Sequence, residues 1–251
     1  MTLQIENLGH STFSVKIGSL EILTDPFLSN SAGGIKRVIP PAKRPGELSP
    51  SIVLISHAHY DHLDLKTLKN LRGDFPVVTS ENCGKVIKSD RVVELKDFET
   101  FTCRGVRITK IPVFHNRGRS LLYPDTGVGG FVFEVEGLKF LFAGDTAFSG
   151  NLYHLWAERF SGVDFALLPI GGFMPFFRKF HQTPEEALKG FRILKARYLI
   201  PVHYGTWHVI PYYARGEKAL ERLLAYSFVC GVRERVREVP PGSSASFDMD
   251  L

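Results

Sequence analysis

The sequence predicts an α+β fold in which two β-rich halves form a sandwich of two sheets with helices outside, an αββα arrangement, as one domain over residues 1–251. Three observations carry this. Each half contains a hairpin pattern that is later followed by a continuous apolar run of buried-strand type. Helical patterns fall between the strands. Residues of metal-ligand type stand directly after apolar runs, which places them on loops along one edge.

Taken in order, residues 2–7 (TLQIEN) alternate as a strand does. Residues 13–17 (FSVKI), a Gly18-Ser19 turn and residues 20–23 (LEIL) form the first hairpin, which leads to Asp25. Between Leu28 and Pro50 there is no periodicity but six Pro or Gly among polar residues, the mark of a segment that covers a site or is mobile. The run 52–55 (IVLI) is a buried strand. Residues 63–71 read as a short helix with Leu65, Leu68 and Leu71 inward. Runs 108–114, 138–143 and 198–202 are strand-like. Residues 131–135, a Glu136-Gly137 turn and residues 138–141 form the second hairpin, followed by a buried strand at 164–168. Thr183-Pro184-Glu185-Glu186 supplies an N-cap, a proline at the first helical position and a glutamate at the third, with Ala187, Leu188, Phe191 and Leu194 on one face. Residues 217–226 form a further helix with Leu220, Leu223 and Leu224 on one side.

The run His57-Ala58-His59-Tyr60-Asp61-His62 places three imidazoles and a carboxylate directly after the apolar run 52–55. His57 and His59, two apart, face the same way, and Asp61 and His62 turn toward a neighbouring point; four ligands in two pairs suggest two metals. Neutral imidazole suits zinc and similar borderline cations, and a carboxylate lowers the net charge of the site. Three further strand-like runs lead to a lone candidate: 108–114 to His115, 138–143 through Gly144 to Asp145, and 198–202 to His203. Each alone is equally well a turn cap. Gly144 and Gly205 would let backbone pass close to an ion.

These residues resemble the metallo-β-lactamase superfamily, whose signature is HxHxDH followed by a separate His, Asp and His. The resemblance implies one metal on His57, His59 and His115, a second on Asp61, His62 and His203, and Asp145 bridging both. "SHAHYDHLD", "AGDTAF", "DFALLPIGGFMP", "HQTPEEA", "IPVHYGTW", "GHST" and "LTDP" are most similar to the branch containing N-acyl-phosphatidylethanolamine-hydrolysing phospholipase D enzymes and ascorbate-phosphate lactonases. The chain looks shorter than those relatives, so their extra substrate-binding segments do not carry over. The family's early aspartate implies that Asp25 hydrogen-bonds a metal-bound His; capping the turn at Pro26 is the alternative. His10 is placed behind the ligands. His181, two residues before the capped helix, positions a substrate phosphate or donates a proton, a simple helix-entry residue being the alternative. Arg117 and Arg119, two and four residues past His115, are candidate substrate-phosphate ligands.

Composition agrees with an enzyme domain: 251 residues, 44% hydrophobic and 23% charged. No stretch has the roughly 18 apolar residues of a membrane span. The first residues lack a basic-then-apolar leader, so the cytoplasm is the expected location. Cys83, Cys103 and Cys230 are odd in number and widely spaced, which predicts thiols. A net charge of +5 and pI of 9.1 favour anionic partners, so a small anionic or ester substrate is expected. The Arg233, Arg235 and Arg237 run alternates with Glu234, Val236 and Glu238 and reads as mixed-charge surface. No extended basic and aromatic groove points to nucleic acid. The aromatic loop 173–177 (FMPFF) lines an apolar substrate pocket, packs in the core or meets a second subunit as a homo-oligomer.

The expected reaction is hydrolysis by a hydroxide shared between two divalent cations, zinc first and Mn2+ or Fe2+ as substitutes, held about 3.5 to 4 Å apart, with Asp61 and His181 as the protein's acid–base groups. A phosphodiester is the leading substrate. A lactone of a phosphorylated sugar or another cyclic ester is the alternative, because the same hydroxide attacks a carbonyl carbon. A di-iron redox protein is the reading from another class.

Overall fold

Strand, turn and strand again is the unit from which both sheets grow. The computed structural model describes residues 2–119, 121–172, 178–207 and 217–248. In chain order the first elements are β1 (Thr2–Gly9), β2 (Thr12–Ile17), β3 (Leu20–Thr24), two short strands β4 (Ser31–Ala32) and β5 (Ile35–Lys36), β6 (Ile52–Ile55), α1 (Leu65–Asn70), β7 (Val77–Ser80), α2 (Gly84–Ile87) and β8 (Val92–Leu95). The second series is β9 (Thr100–Cys103), β10 (Val106–Ile111), β11 (Gly130–Val135), β12 (Leu138–Phe142), α3 (Gly150–Arg159), β13 (Phe165–Pro169), α4 (Pro184–Leu194), β14 (Tyr198–Val202), α5 (Glu217–Val229) and β15 (Ser244–Asp248).

The chain divides into two compact units. The first comprises residues 1–96, 117–128 and 239–251 and holds a seven-stranded sheet in the order β15-β1-β2-β3-β6-β7-β8. Its hairpin forms as expected, with Ile17 opposite Leu20 and Gly18 at φ 58° in the turn. From β3 onward, β6, β7 and β8 pair in parallel. One face of this sheet, with Leu23, Val53, Ile55 and Val77, packs with Leu68, Leu71 and Val86 from the helices.

The second unit, residues 97–116 and 129–238, holds a six-stranded sheet in the order β14-β13-β12-β11-β10-β9. Its hairpin turns at Glu136 (φ 50°) and Gly137 (φ 75°), both left-handed as a tight turn between twisted strands requires. The repeat read in the sequence is topological here: β12 pairs in parallel with β13 as β3 does with β6. On one face Phe133, Phe140, Phe165 and Tyr198 stack across four adjacent strands at centroid spacings of 4.8, 5.0 and 5.4 Å. The other face packs Val132, Leu141, Ala166 and Leu168 with Trp156, Leu188, Phe191 and Leu223.

Several expectations are corrected. The helix after the HxHxDH run begins at Leu65, not at residue 63, because the Asp64 carboxylate caps it by accepting from the Lys66 and Thr67 amides. Leu65 at the first helical position is consequently exposed, and Leu63 takes the buried place. The strand expected to run through residue 114 ends at Ile111, since Pro112 has no amide to continue the ladder. The helix read at 217–226 extends to Val229, with Leu223 fully buried and Leu220 and Leu224 partly so. Within segment 28–50, the buried Arg37 donates to Phe27 O (3.0 Å) and Ile39 O (2.7 Å). Burial lowers its pKa to about 10. Helix α3 has no counterpart in the sequence pattern: it buries only Tyr153 and Trp156, too sparse a stripe to read. Gly190 of α4 makes room for the Tyr153 ring, where a Cβ would stand 2.3 Å from it.

The α4 start forms as read, with Thr183 and Glu186 in a reciprocal capping box and Ala187, Leu188, Phe191 and Leu194 buried. The three cysteines form no disulfide. Arg235 reaches the Ala196 and Arg197 carbonyls beside the buried Val236. His208 and the aromatic loop 173–177 lie outside the described residues.

Candidate metal centre

Each unit gathers imidazoles around a carboxylate at the carboxyl ends of its parallel strands. In the first unit, β3 delivers Asp25 and β6 delivers Ser56 and His57. The fully buried Asp25 carboxylate accepts from the Ser56 amide (2.7 Å), the Ser56 hydroxyl (2.6 Å) and His62 Nδ1 (2.6 Å). Ser56 Oγ lies 2.8 Å from His57 Nδ1. With the hydroxyl hydrogen committed to Asp25, that oxygen accepts from His57. One carboxylate therefore orients two imidazoles, His62 directly and His57 through Ser56, and turns Nε2 of each into the ligating atom. Burial pushes the Asp25 carboxyl up, and His62 and Ser56 pull it back. Ser56 carries no signal in the sequence because its role depends on an aspartate 31 residues away.

His57 Nε2 and His59 Nδ1 stand 2.8 Å apart. His10 donates to Asp61 (3.1 Å), and donor atoms of His10, Asp61 and His62 all lie within 4.8 Å of one another, as do those of Asp25, His57 and His62. The loop that carries these ligands is braced by Arg119, whose guanidinium donates to Ala58 O (2.9 Å) and Leu63 O (2.6 Å) and covers the Tyr60 ring at 3.9 Å. Arg119 is thus a strut for the ligand loop before it is anything else. Arg117 is exposed and donates to Pro124 O.

In the second unit Asp145 follows β12 and His203 follows β14. Asp145 Oδ2 lies 3.1 Å from His203 Nε2, 3.6 Å from His181 Nδ1 and 3.8 Å from His115 Nε2. His115 Nδ1 is tied to Phe180 O at 3.0 Å. Gln182, equally silent in the sequence, is the keystone: its amide donates to Thr146 O, its side chain to Pro169 O, and it accepts from the Tyr153 hydroxyl. This pins the backbone beside His181 to the strand carrying Asp145. Gly171 and Gly172 provide clearance: a Cβ on Gly171 would stand 2.3 Å from His203 O, and one on Gly172 2.4 Å from His181 O.

Three of these residues, His10 (φ 60°), Asp25 (φ 32°) and His203 (φ 57°), carry the positive φ that side-chain-bearing residues avoid. Such backbone collects at functional sites. The donor set, imidazoles with a few carboxylates and no thiolate among them, fits divalent cations of the zinc type.

A model described as "Beta-lactamase superfamily domain" matches residues 21–204. The chain belongs to the metallo-β-lactamase superfamily. A metal-dependent hydrolase of Thermococcus onnurineus is 31% identical over 208 residues, covering 82% of this chain and 86% of the relative. The mitochondrial N-acyl-phosphatidylethanolamine-hydrolyzing phospholipase D of Saccharomyces cerevisiae is 33% identical over 96% of this chain, which spans 55% of that protein. Igni18, a metallo hydrolase of Ignicoccus hospitalis, has the same fold with a TM-score of 0.76 at 21% identity, covering all of both chains. As a member of this superfamily the chain is a metal-dependent hydrolase with the α+β fold expected of it. Among the described residues no helix is long and apolar enough to cross a membrane.

Proposed function

We propose that this chain is a binuclear metal-dependent phosphodiesterase of phospholipase D type. The observation that carries the substrate class is the 33% identity, over 96% of the chain, to the yeast phospholipase D. In this reading His57, His59 and His115 would hold one cation and Asp61, His62 and His203 the other, with Asp145 available to both, zinc being the expected metal and Mn2+ or Fe2+ substitutes. When bound, the pair supplies Lewis acidity and makes a water acidic enough to attack phosphorus near neutral pH.

The chain's own groups do the rest. Asp25 and Ser56 fix the imidazole tautomers. Asp61, oriented by His10, takes up the proton of the attacking water. His181, beside Asp145, delivers a proton to the departing alcohol oxygen. Arg117 and Arg119 neutralise the substrate phosphate.

The test is turnover of bis(p-nitrophenyl) phosphate by zinc- or manganese-loaded protein against a lactone panel, with Asp145→Ala alongside and metal content measured for both. Diester turnover that vanishes in the variant supports the reading. Lactone turnover without diester turnover replaces it with a lactonase, and no turnover of either by fully metallated protein removes it.

A further inference from the structure

Phe228 (77%) and Val229 (78%) are exposed at the end of α5, but the most exposed large apolar side chain among the described residues is Leu121 at 95%, and with it stand Leu122 (71%), Ile35 (56%), Val38 and Tyr60. Leu121 and these four belong to the first unit. The β4–β5 hairpin touches Tyr60, since a Cβ on its tip residue Gly33 would lie 3.7 Å from the ring. The Arg119 guanidinium covers the same ring at 3.9 Å, and the Arg119 carbonyl accepts from the Leu122 (3.0 Å) and Tyr123 (2.9 Å) amides. The hairpin and Arg119 thus meet at Tyr60, and Leu121 and Leu122 stand two and three residues beyond Arg119. Exposing this much apolar side chain to water is unfavourable without a partner.

The charge of the face names the partner. Residues 31–38 and 117–124 contain Lys36, Arg37, Arg117 and Arg119 and no acidic residue, and Lys36 and Arg117 are exposed. Nearby Asp61 and Asp125 are engaged by His10 and Lys85. Bare leucines with a tyrosine and a cationic rim match the layered chemistry of a membrane surface, where anionic headgroups lie over acyl chain. We infer that the face formed by Ile35, Val38, Tyr60, Leu121 and Leu122 docks this protein onto an anionic lipid bilayer, leucines inserted and Lys36 on the headgroups. This goes beyond the hydrolysis reading, and its test measures binding alone.

The experiment is co-sedimentation of the metal-loaded full chain with vesicles of phosphatidylcholine, alone or mixed with phosphatidylglycerol, with the oligomeric state measured in parallel. The protein is expected to partition onto the mixed vesicles, and added salt to weaken it. Leu121→Asp with Leu122→Asp should cut partitioning at least about tenfold, because two inserted side chains are lost. Both positions are exposed, so the melting temperature should hold. Lys36→Glu should lower binding to mixed vesicles more than to neutral ones. Wild-type protein left in the supernatant, or a double variant that binds as wild type does, overturns the inference. So does a wild-type dimer that the double variant dissolves while neither binds vesicles, which would make this face a contact between copies of the chain.

Discussion

Replacing Asp25 by asparagine tests how two candidate ligands are prepared for a metal. Asn keeps the size and one oxygen, which still accepts from the Ser56 amide in place of the present 2.7 Å bond. Its amide group replaces the oxygen that now faces both the Ser56 hydroxyl and His62 Nδ1 at 2.6 Å. Ser56 adapts by rotating its hydroxyl. His62 cannot: an amide N–H meets a ring N–H, and relief comes by moving the ring proton to Nε2, the atom that must ligate. Loss of one charge-assisted bond costs about 1.5–3 kcal/mol, or about 3–12 °C in melting temperature for a chain of this size. Metal affinity should fall about 10–100-fold, as removal of such supporting carboxylates typically does. Chelator competition measures the affinity, and the 15N shifts of His62 report the tautomer. An affinity within threefold of wild type, with the tautomer unchanged, refutes the argument whatever happens to stability.

Gly171→Ala should displace His203, whose carbonyl would stand 2.3 Å from the new methyl, and lower turnover at least about tenfold at a cost of about 1–3 kcal/mol in stability; wild-type turnover would show that the two loops part freely. Arg119→Ala should loosen the ligand loop and reduce metal affinity, and Arg119→Lys should fail to restore it, since one ammonium cannot span Ala58 O and Leu63 O while covering Tyr60. Rescue by lysine, read by chelator competition, would reduce the role to charge. Thr183→Ala should cost about 1 kcal/mol through the lost α4 cap, visible in urea denaturation, with turnover at wild-type level; a larger effect on turnover than on stability would place the α4 start in the site.

Patterns that repeat over short distances are the legible part of this sequence. The two hairpins, the buried strands after them and the α4 capping box announce themselves within a dozen residues each. The HxHxDH run does so within six. His115, Asp145 and His203 emerge only as the polar residues at the ends of apolar runs, a rule that works because parallel strands present their carboxyl ends together. Residues whose meaning is a partner far along the chain stay silent. Ser56 matters through Asp25, Gln182 through Pro169 and Tyr153, and Gly171 through the His203 carbonyl. The charge of Arg119 is visible in sequence, but the carbonyls of Ala58 and Leu63 that it braces are not. Leu65 is misplaced by the apolar spacing because Asp64 caps the helix directly before it, while Leu68 and Leu71 are buried as the spacing predicts.

The left-handed backbone at His10, Asp25 and His203 bears on how the protein would change under selection. Each such position stores about 1–3 kcal/mol, and glycine would release it at no steric cost. A screen for heat-resistant variants scored on melting temperature alone would therefore favour glycine at His203, whose side chain is the least buried of the three, and that success would delete a side chain from the centre, whereas at Asp25 the bonds to Ser56 and His62 outweigh the strain. Variants improved in that way would be sturdier molecules with nothing left to do, so durability and activity have to be selected together in this fold.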